Sequence, residues 1–370
     1  MSDTNFYDLT VKSVDAATDQ AVVVTFDVPA DLKDKYAYEA GQYLTVKFEI
    51  NGKEERRAYS LCSAPGIDND LKIGVKRVKG GKVSNHICDR VKVGDKVSVM
   101  QPQGLFLAKT NADNKKDYYL FGGGSGITPL LSILKTVAEQ EPKSRVFLYY
   151  QNKNEDSIMF KEELATLEKR YQGQVLVKHI LDEPKTEKKG GVLGLFAKKI
   201  ILWDGEVGRI DVSRTTKFIN ENQIGDGRLE EFYLCGPEGM MISVEAALKN
   251  KGIDSKHIHR EVFLSASAKP SDFGENSGGG ATVIATISGK EYTVVLKPKE
   301  SILEGLMRLD ADPPFSCMSG ACSTCMAKVK NGSAKMERCL ALDDSEVQAG
   351  YILTCSAVPT TEVVEITYDV

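Results

Sequence analysis

The chain has 370 residues, 42 % of them hydrophobic, and a formal charge of −4. That length exceeds what one core serves and calls for two or three packed domains. No run nears the roughly eighteen apolar residues of a membrane span, and the opening MSDTNFYDLTVKSV lacks the basic-then-apolar order of a signal peptide, so the expected setting is cytoplasmic. Residues 270–370 hold the whole acidic surplus, with 8 Lys and Arg against 14 Asp and Glu. A nucleic-acid partner needs the opposite sign. An acidic module suits a basic protein surface, and it equally suits plain solubility.

Residues 1–112 read as β-rich. AVVVTFDV (21–28), QYLTVKFEI (42–50) and DKVSVM (95–100) mix alternation with β-branched residues, the pattern of a barrel or sandwich. One helix interrupts them, SNHICDRV (84–91), with Ser84 as its expected N-cap. Residues 113–268 alternate strands and helices: DYYLFGGG runs into SGITPLLSILKTVAEQ, RVFLYYQ precedes MFKEELATLEKRY, QVLVKHIL follows, and EEFYLCGP leads to EGMMISVEAALKNKG. That is a doubly wound parallel α/β pattern, in which ligands gather at the carboxyl ends of strands. Within it, residues 183–210 form an insertion containing GLFAKKIILW, apolar with a basic flank and holding the one tryptophan, Trp203. It reads as an extra helix packed on the domain, or as a segment that docks a partner, covers a cleft or touches a membrane.

Residues 265–282 are rich in Ser, Gly and Pro and read as a linker, centred on 269–280. The last block, 281–370, opens with a hairpin, ATVIATISGKEYTVVLKP, continues with helix SILEGLMRL and closes on strand EVVEITYDV. It predicts a small α+β domain built around a metal site.

That site is PFSCMSGACSTCMAKV (314–329), where Cys317, Cys322 and Cys325 stand at C-x4-C-x2-C, with Cys355 well downstream in YILTCSAVP. This is the spacing of plant-type [2Fe-2S] centres. Ser319, Gly320, Ala321, Ser323 and Thr324 are small enough to let backbone N–H groups approach the sulfurs. A zinc site is the competing reading, but zinc sites favour two C-x2-C pairs, and one occurs here. Cys339 falls outside the spacing. His86, His179, His257 and His259 show no ligand spacing, and no Ser-His-Asp order points to hydrolysis.

FGGGSGITPLLSIL (121–134) joins a strand to a helix through consecutive glycines, suited to a pyrophosphate at a helix N-terminus. Pro129 after Thr128 departs from G-x-G-x-x-G. RAYSL (57–61), this glycine segment and YLCGPEGMM (233–241), in this order along the chain, resemble the ferredoxin–NADP reductase superfamily, and the last block resembles the [2Fe-2S] ferredoxins. The resemblance implies a flavin-binding β-barrel (1–112), an NAD(P)-binding α/β domain (113–268) and a β-grasp-like ferredoxin domain (281–370). It places Arg57 on a flavin phosphate, Tyr59 against the isoalloxazine and Ser60 near its N5. Gly81, Lys82, Val83 and Ser84 would form a phosphate turn, Lys76 would lie near the flavin, and Phe263 in REVF would cover its other face. Gly123, Gly124, Ser125, Gly126, Ile127, Thr128 and Pro129 would receive the dinucleotide. Cys235, Gly236, Pro237 and Met240 would flank the nicotinamide, with Ser60, Tyr59, Thr128 and Cys235 closest to the chemistry. Lys153, in YYQNKNEDS, could meet a 2′-phosphate, whereas Glu155 and Asp156 could equally receive a free ribose diol, so NADPH and NADH both stay open with a slight lean to NADPH.

The domain order resembles reductase components of bacterial multicomponent oxygenases, especially the phenylacetyl-CoA oxygenase (epoxidase) reductase group of phenylacetate catabolism. It implies electron flow from NAD(P)H to FAD, then to the cluster at about −400 mV, and on to an oxygenase or other protein acceptor. No nucleic acid or membrane is expected as a partner. The alternatives are a general flavodoxin or ferredoxin reductase and a non-catalytic iron–sulfur redox-sensing module.

Overall fold

The computed structural model describes residues 5–189, 198–263, 279–309 and 311–369. The first sheet contains β1 (Phe6–Thr18), β2 (Ala21–Asp27), β3 (Tyr43–Ile50), β4 (Lys53–Ser60), β5 (Leu71–Lys76) and β6 (Lys96–Met100), in the order β4-β3-β6-β1-β2-β5. Its edge strands meet at a Leu61–Ile73 bridge. The sheet therefore curls around Leu9, Phe26, Leu44, Val46, Ile73 and Val99, and barrel closure rests on that bridge instead of a continuous ladder. Strand β4, KEERRAYS, has no apolar alternation because it is an edge strand with water on one face.

Helix α1 (Lys82–Arg90) plugs the curled sheet with Val83 and Ile87. Ser84 is not its N-cap. The helix starts earlier, after an extended Gly81, and Ser84 Oγ instead accepts from Val78 N at 3.3 Å, closing the preceding turn.

The second sheet is parallel throughout. It comprises β7 (Lys116–Gly123), β8 (Arg145–Asn152), β9 (Val175–Leu181), β12 (Glu206–Val207), β13 (Leu229–Cys235) and β14 (Ile258–Glu261), in the order β12-β9-β8-β7-β13-β14. Alternate residues of its central strands serve two cores. Tyr118, Leu120 and Tyr150 face α2 (Ile127–Gln140) and α3 (Lys161–Arg170). Tyr119, Phe121 and Tyr149 face α4 (Val212–Asn222) and α5 (Glu238–Asn250). Between β9 and β12, a separate ribbon pairs β10 (Thr186–Lys189) with β11 (Lys198–Ile201). The expected helix in 183–210 is thus corrected over its described part, where β-branched Ile200 and Ile201 pair in a ribbon; residues 190–197 lie outside the described residues. Trp203 packs on the core and donates Nε1–H to Glu206 O at 3.1 Å.

Residues 264–278, most of the expected linker, also lie outside the described residues. The third sheet takes β15 (Thr282–Ile287), β16 (Lys290–Val295), β17 (Met326–Asn331), β19 (Tyr351–Leu353) and β21 (Val363–Thr367) in the order β16-β15-β21-β17-β19, while β18 (Ala334–Met336) pairs β20 (Ala357–Pro359). The C-terminal strand β21 lies parallel to β15 at the sheet centre. Helix α6 (Ile302–Met307) carries a Ser301–Glu304 capping box and buries Ile302 and Leu306; a short α7 (Asp344–Gln348) follows on the surface. The cysteine loop joins α6 to β17, and Cys355 follows β19.

Candidate functional site

The end of β4, the start of α1, the loop after β7 and the segment after β14 converge on a cavity of about 310 Å³, whose remaining wall is the cysteine loop. Of the residues expected from sequence, Arg57, Tyr59, Ser60, Lys76, Gly81, Lys82, Val83, Ser84, Ser125, Thr128, Phe263, Cys317 and Cys322 line it.

One end of the cavity is cationic. Lys82 and Arg57 both reach Glu55, and their combined effect, led by the Lys82 hydrogen bond, holds its carboxyl below the usual range. Burial pulls the Lys76 ammonium down, a cost that a neighbouring anion reverses. The first residues of α1 line the cavity as well, and a helix N-terminus carries unsatisfied N–H groups and partial positive charge. A Cβ on Gly81 would stand 2.5 Å from Ser84 Oγ, so the turn is tight as well as cationic.

At the other end Ser60 Oγ donates to Glu261 Oε2 at 2.8 Å. Desolvation pushes the Glu261 carboxyl up to about 8, so it carries a proton at neutral pH. The Cys235 thiol is fully buried, and that burial, with the Glu261 charge second, pushes it up as well. Thr128 Oγ1 donates to Ser125 O at 3.0 Å. Gly123, Gly124, Gly126, Ile127, Pro129, Cys235, Gly236, Pro237 and Met240 stand behind this wall, where the loops after β7 and β13 press together. A Cβ on Gly126 would lie 2.0 Å from Cys235 O, one on Gly123 2.3 Å from Pro237 Cδ, and one on Gly236 2.8 Å from Gly123 N. Gly124 turns the chain at φ +56°, and Pro129 sits in the first turn of α2, where a missing N–H costs nothing.

Lys153 lies away from this cavity and pairs with Glu183 at 3.3 Å. Glu155 accepts the Lys185 backbone N–H at 3.0 and 3.1 Å, and Asp156 takes the Lys185 ammonium at 2.7 Å. Each charge weighed for the adenosine ribose therefore already has a partner in the insertion.

The cysteine loop folds back through positive φ at Met318 (52°) and Gly320 (72°). Gly320 N donates to Cys355 Sγ at 3.3 Å, and the Ser319 and Ala321 N–H groups reach Cys317. Cys317 has Cys322 and Cys355 within hydrogen-bonding reach, and Cys355 reaches Cys325, so the four thiols converge. An ionised Cys317 accepts from Cys322 and Cys355, which pulls its own pKa down and pushes theirs up. With their protons removed, four converging cysteines offer a thiolate donor set of the kind that holds an iron–sulfur cluster. Thr354 secures the set, its N–H and hydroxyl both donating to Cys325 O at 3.1 and 2.9 Å.

Residues 8–107 match the oxidoreductase FAD-binding domain, 120–246 the oxidoreductase NAD-binding domain and 285–360 the 2Fe-2S iron-sulfur cluster binding domain. A component of 1,2-phenylacetyl-CoA epoxidase from Escherichia coli (strain K12) is 34 % identical over 367 residues, covering 99 % of this chain and 98 % of the relative. The chain belongs to this family of three-domain reductases. A further member, the ferredoxin reductase component of 3-ketosteroid-9-alpha-monooxygenase from Rhodococcus rhodochrous, is 32 % identical over 97 % of this chain and 96 % of its own. Phthalate dioxygenase reductase shares the fold, with a TM-score of 0.55 and 24 % identity over 98 % of both chains. The protein is an NAD(P)H-dependent oxidoreductase carrying FAD-binding, NAD-binding and [2Fe-2S] domains. No helix among the described residues is long and apolar enough to cross a membrane.

The reductase's own residues fit these groups. The cationic, glycine-lined end suits a diphosphate, the all-cysteine donor set with inward N–H groups suits an iron–sulfur cluster, and Tyr59 and Phe263 offer aromatic faces to the cavity. Sequence reading missed Glu261, although REVF was in view, because nothing local says that its carboxyl is desolvated. It also missed Tyr43, whose only signal was its place in an ordinary strand.

Proposed function

We propose that the reductase takes electrons from NADH or NADPH and delivers them singly to the oxygenase of a multicomponent system, of which a phenylacetyl-CoA epoxidase is the type its relatives suggest. The observation that carries this reading is the shared cavity: Tyr59 and Ser60 line it together with the cluster cysteines Cys317 and Cys322. FAD, when bound, accepts hydride and releases single electrons, and the [2Fe-2S] cluster takes one at a time.

Arg57, Lys76 and Lys82 with the α1 N-terminus hold the flavin diphosphate, while Tyr59 and Phe263 enclose the ring system. Thr128 lines the wall that holds the nicotinamide against it, with Cys235 buried behind that wall, because positioning supplies most of the rate of hydride transfer. Ser60, by donating to Glu261, fixes that carboxyl at the cavity wall, where its own proton is available to developing charge. Cys317, Cys322, Cys325 and Cys355 are the cluster ligands. The acidic surplus of residues 270–370 matches a basic docking face on the acceptor.

The test is Cys322→Ser. It should keep flavin bands and ferricyanide reduction by NAD(P)H but lose cytochrome c reduction. A retained cytochrome c rate would place the cluster off the route. Co-purification with an oxygenase component, against none with flavodoxin, checks the acceptor class.

A further inference from the structure

Between the flavin cavity and the cysteine loop stands one tyrosine that belongs to neither set of expected residues. Tyr43, at the start of β3, is the cross-strand partner of Ser60 and exchanges backbone hydrogen bonds with Gln103 at 2.8 and 3.0 Å. Its ring lines the cavity and is 4 % exposed. Gly104 makes that seat: at φ +123° it is glycine-only backbone, and a Cβ there would lie 3.0 Å from the ring. From this fixed seat the hydroxyl crosses to the cysteine loop, 2.9 Å from Thr324 Oγ1 and 3.3 Å from Ser323 Oγ.

Thr324 is buried too and stands two residues from Cys322 in the same loop. A hydroxyl has one proton to give. If Thr324 gives it to the Cys322 thiolate, its oxygen must accept, and Tyr43 is the donor facing it.

We propose that Tyr43 is a positioning residue whose hydroxyl pins the Cys322 edge of the cysteine loop to the flavin cavity wall and, through Thr324, feeds a hydrogen bond to that ligand. The inference rests on the electron route proposed above. In the step it serves, NAD(P)H supplies the electron pair through the flavin, each passing electron takes one Fe(III) to Fe(II), and no bond of Tyr43 is made or broken. A second contact between the same units joins Arg56 to Asp312 at 3.3 Å and to the Phe315 ring centroid at 4.0 Å; its Asp312 arm makes no hydrogen bond to a cysteine among the described residues and serves as the control.

The experiment uses the holoenzyme mixed anaerobically with NADH or NADPH, following flavin and cluster absorbance by stopped flow, with electron paramagnetic resonance of the reduced cluster. Tyr43→Phe keeps the ring and removes the hydroxyl. It should slow cluster reduction relative to flavin reduction about tenfold, the worth of one hydrogen bond. It should also shift the cluster's g values and lower its midpoint potential, because hydrogen bonds to the sulfurs tune both. Thr324→Val should produce the same changes, and the double variant should be no worse than the larger single, since both break one chain. Asp312→Asn should leave the resonance spectrum unchanged.

Wild-type rate and spectrum in Tyr43→Phe, or additive losses in the double variant, overturn the pin. Should Tyr43→Phe fail to hold the cluster, Thr324→Val decides by the same two readouts. A wild-type cluster that neither nucleotide reduces overturns the electron route and the pin with it. Normal wild-type reduction with an unaltered variant removes the pin alone.

Discussion

Replacing Glu261 by glutamine should abolish a loss of stability that the wild-type protein suffers as pH rises from about 5 to 8. Below its ordinary value of 4.5 the carboxyl is protonated in both folded and unfolded chains and costs nothing. As pH rises the unfolded chain gives up its proton first, while the folded site holds it until about 8. The folded state then binds more protons, so stability falls with pH, and the full penalty is reached above about 8. At ~1.4 kcal/mol per pH unit the interval from 4.5 to about 8 amounts to about 5 kcal/mol. Part of Glu261 faces the cavity, so although its carboxyl is enclosed by protein atoms, water there relieves some of the cost, and about 3 kcal/mol is the expected loss in the apoprotein. Glutamine keeps an oxygen for the Ser60 hydroxyl and has no proton to lose. Urea unfolding at unit steps from pH 5 to 9 should therefore give curves that lie close together at pH 5, diverge steadily up to about pH 8 and keep a constant separation above it, with Glu261→Gln the more stable. Parallel curves, or a variant that is weaker throughout, would show that the carboxyl is solvated and the reasoning wrong.

Gly126→Ala should destabilise the nucleotide unit by about 3 kcal/mol and raise KM for NAD(P)H, because its Cβ meets the Cys235 backbone at 2.0 Å and backbone cannot yield as a side chain does. Gly239→Ala, in the first turn of α5 with nothing within 4 Å, should be neutral or slightly stabilising; equal melting shifts in the two variants would refute the distinction. Arg57→Ala should weaken FAD binding by about 10- to 100-fold, the worth of a charge-assisted hydrogen bond to phosphate, and release flavin on gel filtration. An unchanged flavin Kd would remove Arg57 from the phosphate site.

Much of the site could be read along the chain because its chemistry is local. The nine residues from Cys317 to Cys325 set their own sulfur spacing, and Gly122–Gly124 set a strand-to-helix turn wherever that strand lies. Tyr59 and Ser60 were recognisable as neighbours in RAYSL, although β4 itself was not legible as a strand because its edge position lets it be charged. Ser84 was misjudged as a cap because a serine hydroxyl before an apolar pair satisfies the local rule, whereas the turn from Val78 needed that same hydroxyl. The insertion at 183–210 was ambiguous for a related reason: a short apolar run fits a helix or a ribbon until its partner strand is known.

Chain order alone determined that this protein carries a three-thiol loop for a cluster, a glycine turn for a dinucleotide and a flavin motif, since each is written within a dozen residues of backbone. Tertiary structure alone decided that these meet in one cavity. It brings Ser60 to Glu261 across 201 residues and Tyr43 to Thr324 across 281. The reason is desolvation. A carboxyl or a phenol has its ordinary chemistry in water, and only the packing of one sheet's end against another's removes that water and gives the group a single partner.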